Sequence, residues 1–203
     1  MNERDDQYQT ISKPSKGLYK EKGSKFIGYA IPVNDKEKVK QHLAEIKQEH
    51  RSARHHCYAY RLGNNGDDYR TNDDGEPSGT AGKPILGQLQ SFQLTNVLII
   101  VVRYFGGTKL GTSGLIRAYR SAAKDALNNA VIIQKQVLHY YEISFDYTAM
   151  SQVMNCLRLC EAKMIGKIFE EKCFVKVGVS PKHSPLFEDK LNSIDNIGWE
   201  ILM

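Results

Sequence analysis

Two loops hold the residues whose types could do chemistry. The first, Asn72-Asp73-Asp74-Gly75-Glu76-Pro77-Ser78-Gly79-Thr80-Ala81-Gly82-Lys83-Pro84, sets three acids among glycines and prolines. The second, Arg103-Tyr104-Phe105-Gly106-Gly107-Thr108-Lys109-Leu110-Gly111-Thr112-Ser113-Gly114, is basic and glycine-rich. It lies between six apolar residues, Val97 to Val102, and an alanine-rich stretch that ends at Ala130. Strand, glycine loop and helix N-terminus in that order can hold an anion, because the free amides of the first helical turn point into the loop. Carboxylates facing cations could also ligate Mg²⁺ and build a phosphoryl-transfer site.

Spacing decides between these chemistries. Gly106 to Gly111 fits G-x-x-x-x-G, but a phosphate-binding P-loop needs Lys and then Ser or Thr after the last glycine. Thr112 stands in the lysine position, and Lys109 lies inside the loop. A nucleotide triphosphatase is therefore set aside. What remains is an anion or RNA-phosphate cradle made of the backbone at Gly106, Gly107 and Gly111 with Arg103, Lys109 and Arg117. Between Val102 and Lys124 the chain has five basic residues and no acid. Arg117, Arg120 and Lys124 follow one another at +3 and +4, so they share one helical stripe. With Tyr104 and Phe105 nearby, the stripe suits phosphate contact combined with base stacking. Asp73, Asp74, Glu76, Ser78 and Lys83 are read as a second loop of the same site. Each feature also has a plain structural reading: a tight turn, a solvated helix face, and Asp-Gly and Glu-Pro turn chemistry.

His55-His56-Cys57 has only a superficial likeness to a metal cluster. Neighbours on a strand point to opposite faces, so at most His55 and Cys57 converge, and no partner at zinc spacing follows. No nucleophile signature is present. The sequence assigns no catalytic residue, no metal and no cofactor.

The elements that must position these loops can be read from periodicity. Short strands are expected around residues 8–11 and 18–20 and over 25–31, then an amphipathic helix capped by Asn34 or Asp35 and running to about Glu49. A strand from Cys57 leads through Gly63-Asn-Asn-Gly66, a hairpin turn, to a short polar strand. Pro84 suits the first turn of a helix whose Ile85, Leu86, Leu89 and Phe92 share a face. Val97–Val102 reads as a strand buried on both faces, since a half-exposed strand would alternate. Beyond a linker or shared strand near Gln134, Tyr141, Ile143, Phe145 and Tyr147 alternate with polar residues, and the order β-α-β-β-α-β follows. That order predicts a ferredoxin-like unit over 139–203.

Composition narrows the class. The chain has 203 residues, 41% hydrophobic and 25% charged, within the ordinary globular range. No apolar run is long enough for a membrane span, and the polar N-terminus reads as a short tail rather than a secretory signal. The four cysteines form no C-x-x-C, which predicts reduced, buried thiols and a cytoplasmic protein. Residues 1–138 carry 21 Lys and Arg against 14 Asp and Glu, a net of +7, and residues 139–203 carry 7 against 9, a net of −2. A polyanion would meet the first half.

The two loop sequences, from Asp73 to Leu86 and from Val101 to Gly111, together with His55-His56-Cys57-Tyr58-Ala59-Tyr60 and Ser24-Lys25-Phe26, resemble the bacterial YigZ / IMPACT family. The resemblance implies an α+β protein: an N-terminal ribosomal protein S5 domain 2-like domain over 1–133 and a C-terminal ferredoxin-like domain over 139–203, similar to the last domain of elongation factor G. It implies translation regulation. Eukaryotic relatives restrain a stress-activated initiation-factor kinase, a mechanism not carried over because their partner system and RWD domain are not read in this chain. The expectation is a non-enzymatic, cytoplasmic regulator that contacts RNA or the ribosome through the glycine loop and stripe, with a protein partner as the plainer option and the oligomeric state left open. The rival is a metal-assisted enzyme acting on a phosphate- or nucleotide-like small molecule, which requires the two loops to meet.

Overall fold

The computed structural model describes residues 6–202; the expected N-terminal tail lies largely outside the described residues. The protein is a mixed α/β molecule with several sheets, and it divides into two compact units. One is Tyr8–Lys135, and the other comprises the described residues outside that range.

The first unit holds β1 (Gln7–Ile11), which begins just before it, then β2 (Ser15–Glu21), β3 (Ser24–Pro32), α1 (Lys36–Glu49), β4 (His55–Leu62) and β5 (Asp68–Asn72). It continues with α2 (Gly82–Ser91), β6 (Val97–Tyr104), α3 (Gly111–Asn128) and β7 (Ile132–Gln136). A five-stranded antiparallel sheet has the order β2-β3-β6-β4-β5, and β1 pairs with β7. The central strand is the one the apolar run marks: Val97 through Val102 are all fully buried. One face of the sheet packs Leu98, Ile100 and Val102 with Val39 and Ile46 of α1. The other packs Ile99 and Val101 with α2 and α3. Asp35 caps α1, its carboxylate accepting from the Lys38 N–H at 2.7 Å.

Helix α3 lies close on the sheet because its inner face is small. Ala118, Ala122, Ala123 and Ala126 are buried, and they meet glycines across the interface. A Cβ on Gly17 would fall 2.2 Å from the Ala126 nitrogen, and one on Gly28 would fall 2.5 Å from the Ala122 carbonyl oxygen. The close approach fixes where the N-terminus of α3, and hence the glycine loop, stands.

The second unit contains β8 (His139–Asp146), a single 3₁₀ turn (Tyr147–Ala149), α4 (Met150–Leu159), β9 (Lys163–Phe169), β10 (Lys172–Val179), α5 (Ser184–Asn192) and β11 (Ile197–Leu202). Its four strands are antiparallel in the order β11-β8-β10-β9. The alternating Tyr141, Ile143 and Phe145 face Cys173, Val175 and Val177 and are covered by Val153, Leu157, Phe187 and Leu191. Tyr147 departs from the alternation: it has left the strand for the 3₁₀ turn and is exposed. All four cysteines are free and buried.

Candidate anion site between two loops

The acidic loop and the glycine loop meet within the first unit. Arg103, near the end of β6, faces the α2/α3 side of the sheet opposite His55 of β4. Its Nη1 donates to Glu76 Oε1 at 2.6 Å, and the Tyr119 hydroxyl of α3 donates to the same oxygen at 2.8 Å. Glu76 and Arg103 are both buried. The Cys57 sulfur lies 3.3 Å from the Tyr119 hydroxyl and 3.0 Å from the Asp73 carbonyl oxygen. One buried polar chain therefore ties β4, the acidic loop, β6 and α3 together. Burial pushes the Tyr119 phenol and the Cys57 thiol well above their ordinary ranges, so both stay protonated.

The three acids are each committed. Asp73 Oδ1 accepts from the Ala81 and Gly82 N–H groups at 2.9 and 2.8 Å, and Oδ2 from the Gly79 N–H at 2.8 Å. It thus supplies the cap for α2 from nine residues upstream, where no local side chain does so. Burial pushes the Asp73 carboxyl up, but the backbone donors of Gly79, Gly82 and Ala81 and the Lys83 charge outweigh it and hold the group below 3.8. Asp74 Oδ2 accepts from the His56 N–H at 2.7 Å, fixing the start of β4. Glu76 holds Arg103. Among the described residues no three His, Cys, Asp or Glu side chains are grouped to hold a metal ion. The acids the sequence offers as Mg²⁺ ligands instead shape the loops.

The glycine loop carries its own constraint. A Cβ on Gly106 would sit 1.8 Å from the Gly23 carbonyl carbon, so the loop packs directly on the β2–β3 turn. There the Gly106 N–H donates to Ser24 Oγ at 3.1 Å. Gly107 and Gly111 adopt φ of +88° and +71°, the left-handed region that glycine tolerates best.

Between the loops lies a cavity of about 510 Å³. Its walls include Arg54, His55, Glu76, Pro77, Arg103, Phe105, Lys109, Leu110, Gly111 and Thr112. Of the sequence-nominated residues, Arg103, Lys109, Gly111 and Glu76 are brought together here. Lys83 and Arg120 meet elsewhere, on a second groove between α2 and α3 that includes Ile116 and Gln88. Arg117 is taken by Glu21 of β2, whose carboxyl it holds below the usual range. Lys124 and Ser78 are exposed and stand apart from both cavities. Arg54 and Tyr119 were not nominated from sequence. Arg54 precedes the strand residue that pairs with Arg103, a relation only the β4–β6 register creates.

The Impact N-terminal domain matches residues 22–127, which contain both loops, four of the five strands of the sheet and all but the last residue of α3. The chain belongs to the IMPACT family. It is 33% identical over 183 residues to the IMPACT family member YigZ of Escherichia coli, covering 89% of this chain and 90% of that one. It is 34% identical over 173 residues to the IMPACT family member YvyE of Bacillus subtilis, covering 85% and 80% respectively. A crystal structure titled only as a hypothetical protein superposes over 98% of both chains with a TM-score of 0.71 at 28% identity. The IMPACT match thus confirms the resemblance carried by the two loop sequences. No helix of the described residues is long and apolar enough to cross a membrane.

Proposed function

We propose that this IMPACT family member is a cytoplasmic, non-enzymatic translation regulator that contacts RNA or the ribosome. In this reading the first unit is an S5 domain 2-like domain (1–133) and the second a ferredoxin-like domain (139–203). The β-α-β-β-α-β order and the β11-β8-β10-β9 sheet support the latter assignment.

One observation carries the RNA reading. Lys109, Arg120 and Lys124 lie exposed on α3 and its preceding loop, and none forms an ion pair among the described residues. Lys83 adds a fourth exposed cation across the groove from Arg120. Exposed lysine and arginine with no carboxylate partner, on one helix and the loops beside it, are suited to phosphate contact. Arg117 contributes less than the helical stripe alone predicts, because Glu21 already neutralises it.

The rival enzyme reading requires the loops to meet, and they do; it also requires free acids, and Asp73, Asp74 and Glu76 are all engaged. The test is RNA or ribosome binding by the full chain across a salt series. Binding should fall steeply with salt, and Lys83→Gln/Arg120→Gln/Lys124→Gln together should flatten the log–log slope by about 2, at ~0.7 per single-strand phosphate contact. No binding at low salt, or a slope unchanged by the triple variant, overturns the proposal.

A further inference from the structure

We propose that the cavity between the two loops is a site for a nucleoside monophosphate, either free or as the 5′-phosphorylated end of an RNA strand. The proposal rests on reading the glycine loop as an anion cradle and shares Lys109 with the RNA reading, but it does not use Lys83, Arg120 or Lys124, the three residues whose substitution tests that reading.

Three observations converge on it. First, α3 is 18 residues long, and no side chain caps its N-terminus, where Gly111 and Thr112 form part of the cavity wall. Its first turn contains no acid, so the positive end of the helix dipole is open to an anion. Second, Arg103 is only 7% exposed, borders the same cavity, and spends a single hydrogen bond on Glu76. Its buried Nε has no partner among the described residues. A guanidinium has five N–H donors, so one that spends a single bond on Glu76 keeps others to offer an anion in the cavity it borders.

Third, the walls are matched in charge and kind. Arg54, Arg103 and Lys109 against Glu76 leave a formal excess of two positive charges. A phosphomonoester carries about −1.5 to −2 at neutral pH, and this excess matches it better than the single charge of an internal phosphodiester. Beside the cations, the Phe105 ring is half exposed, and Pro77 and Leu110 add apolar wall. Such a surface gives a base somewhere to stack once its phosphate is held. The volume, about 510 Å³, lies in the range of small-molecule sites.

The experiment is calorimetric titration of the full chain, at low salt, with AMP, adenosine and inorganic phosphate, and with a short RNA carrying a 5′-phosphate or a 5′-hydroxyl. AMP should bind, inorganic phosphate should bind more weakly, and adenosine should not bind measurably. Arg54→Gln and Lys109→Gln alter exposed side chains and should each weaken AMP about tenfold or more, the effect of losing one charge-assisted hydrogen bond. Phe105→Ala should weaken AMP while leaving inorganic phosphate unchanged. A preference for 5′-phosphorylated RNA, absent in Lys109→Gln, assigns the strand end as the source; AMP binding without that preference assigns the free nucleotide.

The inference is overturned if AMP fails to bind, if AMP and adenosine bind alike, or if neither glutamine variant changes affinity. RNA binding that persists in that event leaves the RNA proposal standing. AMP binding with no RNA binding sinks the RNA proposal alone.

Discussion

Removing the Glu76 carboxylate should destabilise the first unit by about 3–5 kcal/mol. The magnitude follows from how thoroughly the group is enclosed: the side chains of Glu76 and Arg103 are 4% and 8% exposed. Opposite unit charges about 4 Å apart attract by ~4 kcal/mol at an effective dielectric near 20. In Glu76→Ala, Arg103 and the Tyr119 hydroxyl both lose their acceptor, and an orphaned buried donor costs roughly 1–3 kcal/mol. Against this, the variant no longer has to desolvate a carboxylate, which brings the net into the range above. If the loss is one of pairing, removing both charges should recover most of it, so Glu76→Leu/Arg103→Met should be more stable than Glu76→Ala. The readout needs care, since the sole tryptophan, Trp199, lies in the other unit and its fluorescence does not report on this one. Amide hydrogen exchange of Ile99–Val102, in the fully buried central strand, reports on it directly. A loss below about 1 kcal/mol in Glu76→Ala, or a double variant no more stable than the single, refutes the assignment of Glu76–Arg103 as the pair that holds the loops.

Four further outcomes follow from the same geometry. Gly106→Ala, whose Cβ meets the Gly23 backbone, should destabilise by about 1–3 kcal/mol in a thermal melt. The same change at Gly107, which has open space but positive φ, should cost only about 1–2 kcal/mol. Asp73→Ala should cost about 1–2 kcal/mol by uncapping α2, and should speed amide exchange at Ala81 and Gly82 before the central strand responds. Two acid transitions should separate in a stability–pH profile. His56 is held neutral by burial, with its folded value below 6.5 despite the nearby Asp74 charge, so its contribution is full above about pH 6.5 and is lost as pH falls towards the folded value. Asp73 is depressed below 3.8, so its contribution persists to lower pH and goes only as pH falls through its folded value; His56→Leu should remove the upper step alone.

Much of the architecture was legible because the apolar pattern is simple. Val97–Val102 lacks any alternation, which only a strand covered on both faces allows, and the alternating Cys173, Val175 and Val177 set a one-sided sheet. The helix stripe was legible in spacing but not in charge, because Glu21, the partner of Arg117, lies 96 positions away in sequence. The cap of α2 was hidden for the same reason: Asp73 acts across a loop rather than from the position just before the helix. Sequence placed the two loops as candidate neighbours, yet could not show that Arg103 and Glu76 would pair with each other. That pairing depends on the β4–β6 register and on how closely α3 sits on Gly17 and Gly28.

The acidic loop acquires its meaning from that pairing. Three carboxylates beside a basic glycine loop suggest a reacting site, but each has a structural task. Asp73 holds the start of α2, Asp74 the start of β4, and Glu76 the guanidinium of Arg103. Had all three lined the cavity, their charge would cancel that of Arg54, Arg103 and Lys109 and repel an anion. Asp73 and Asp74 keep their charge but stand outside the cavity wall, so within it only Glu76 offsets the cations. The same Glu76 turns Arg103 into a fixed donor, since a buried arginine without a counter-charge would be too costly to keep there. A bound phosphate would then accept from that fixed guanidinium and stabilise the folded unit by RT ln(1 + [L]/Kd). The acids position this site and the bases fill it, so loop geometry and ligand binding stand or fall on one side chain, Arg103.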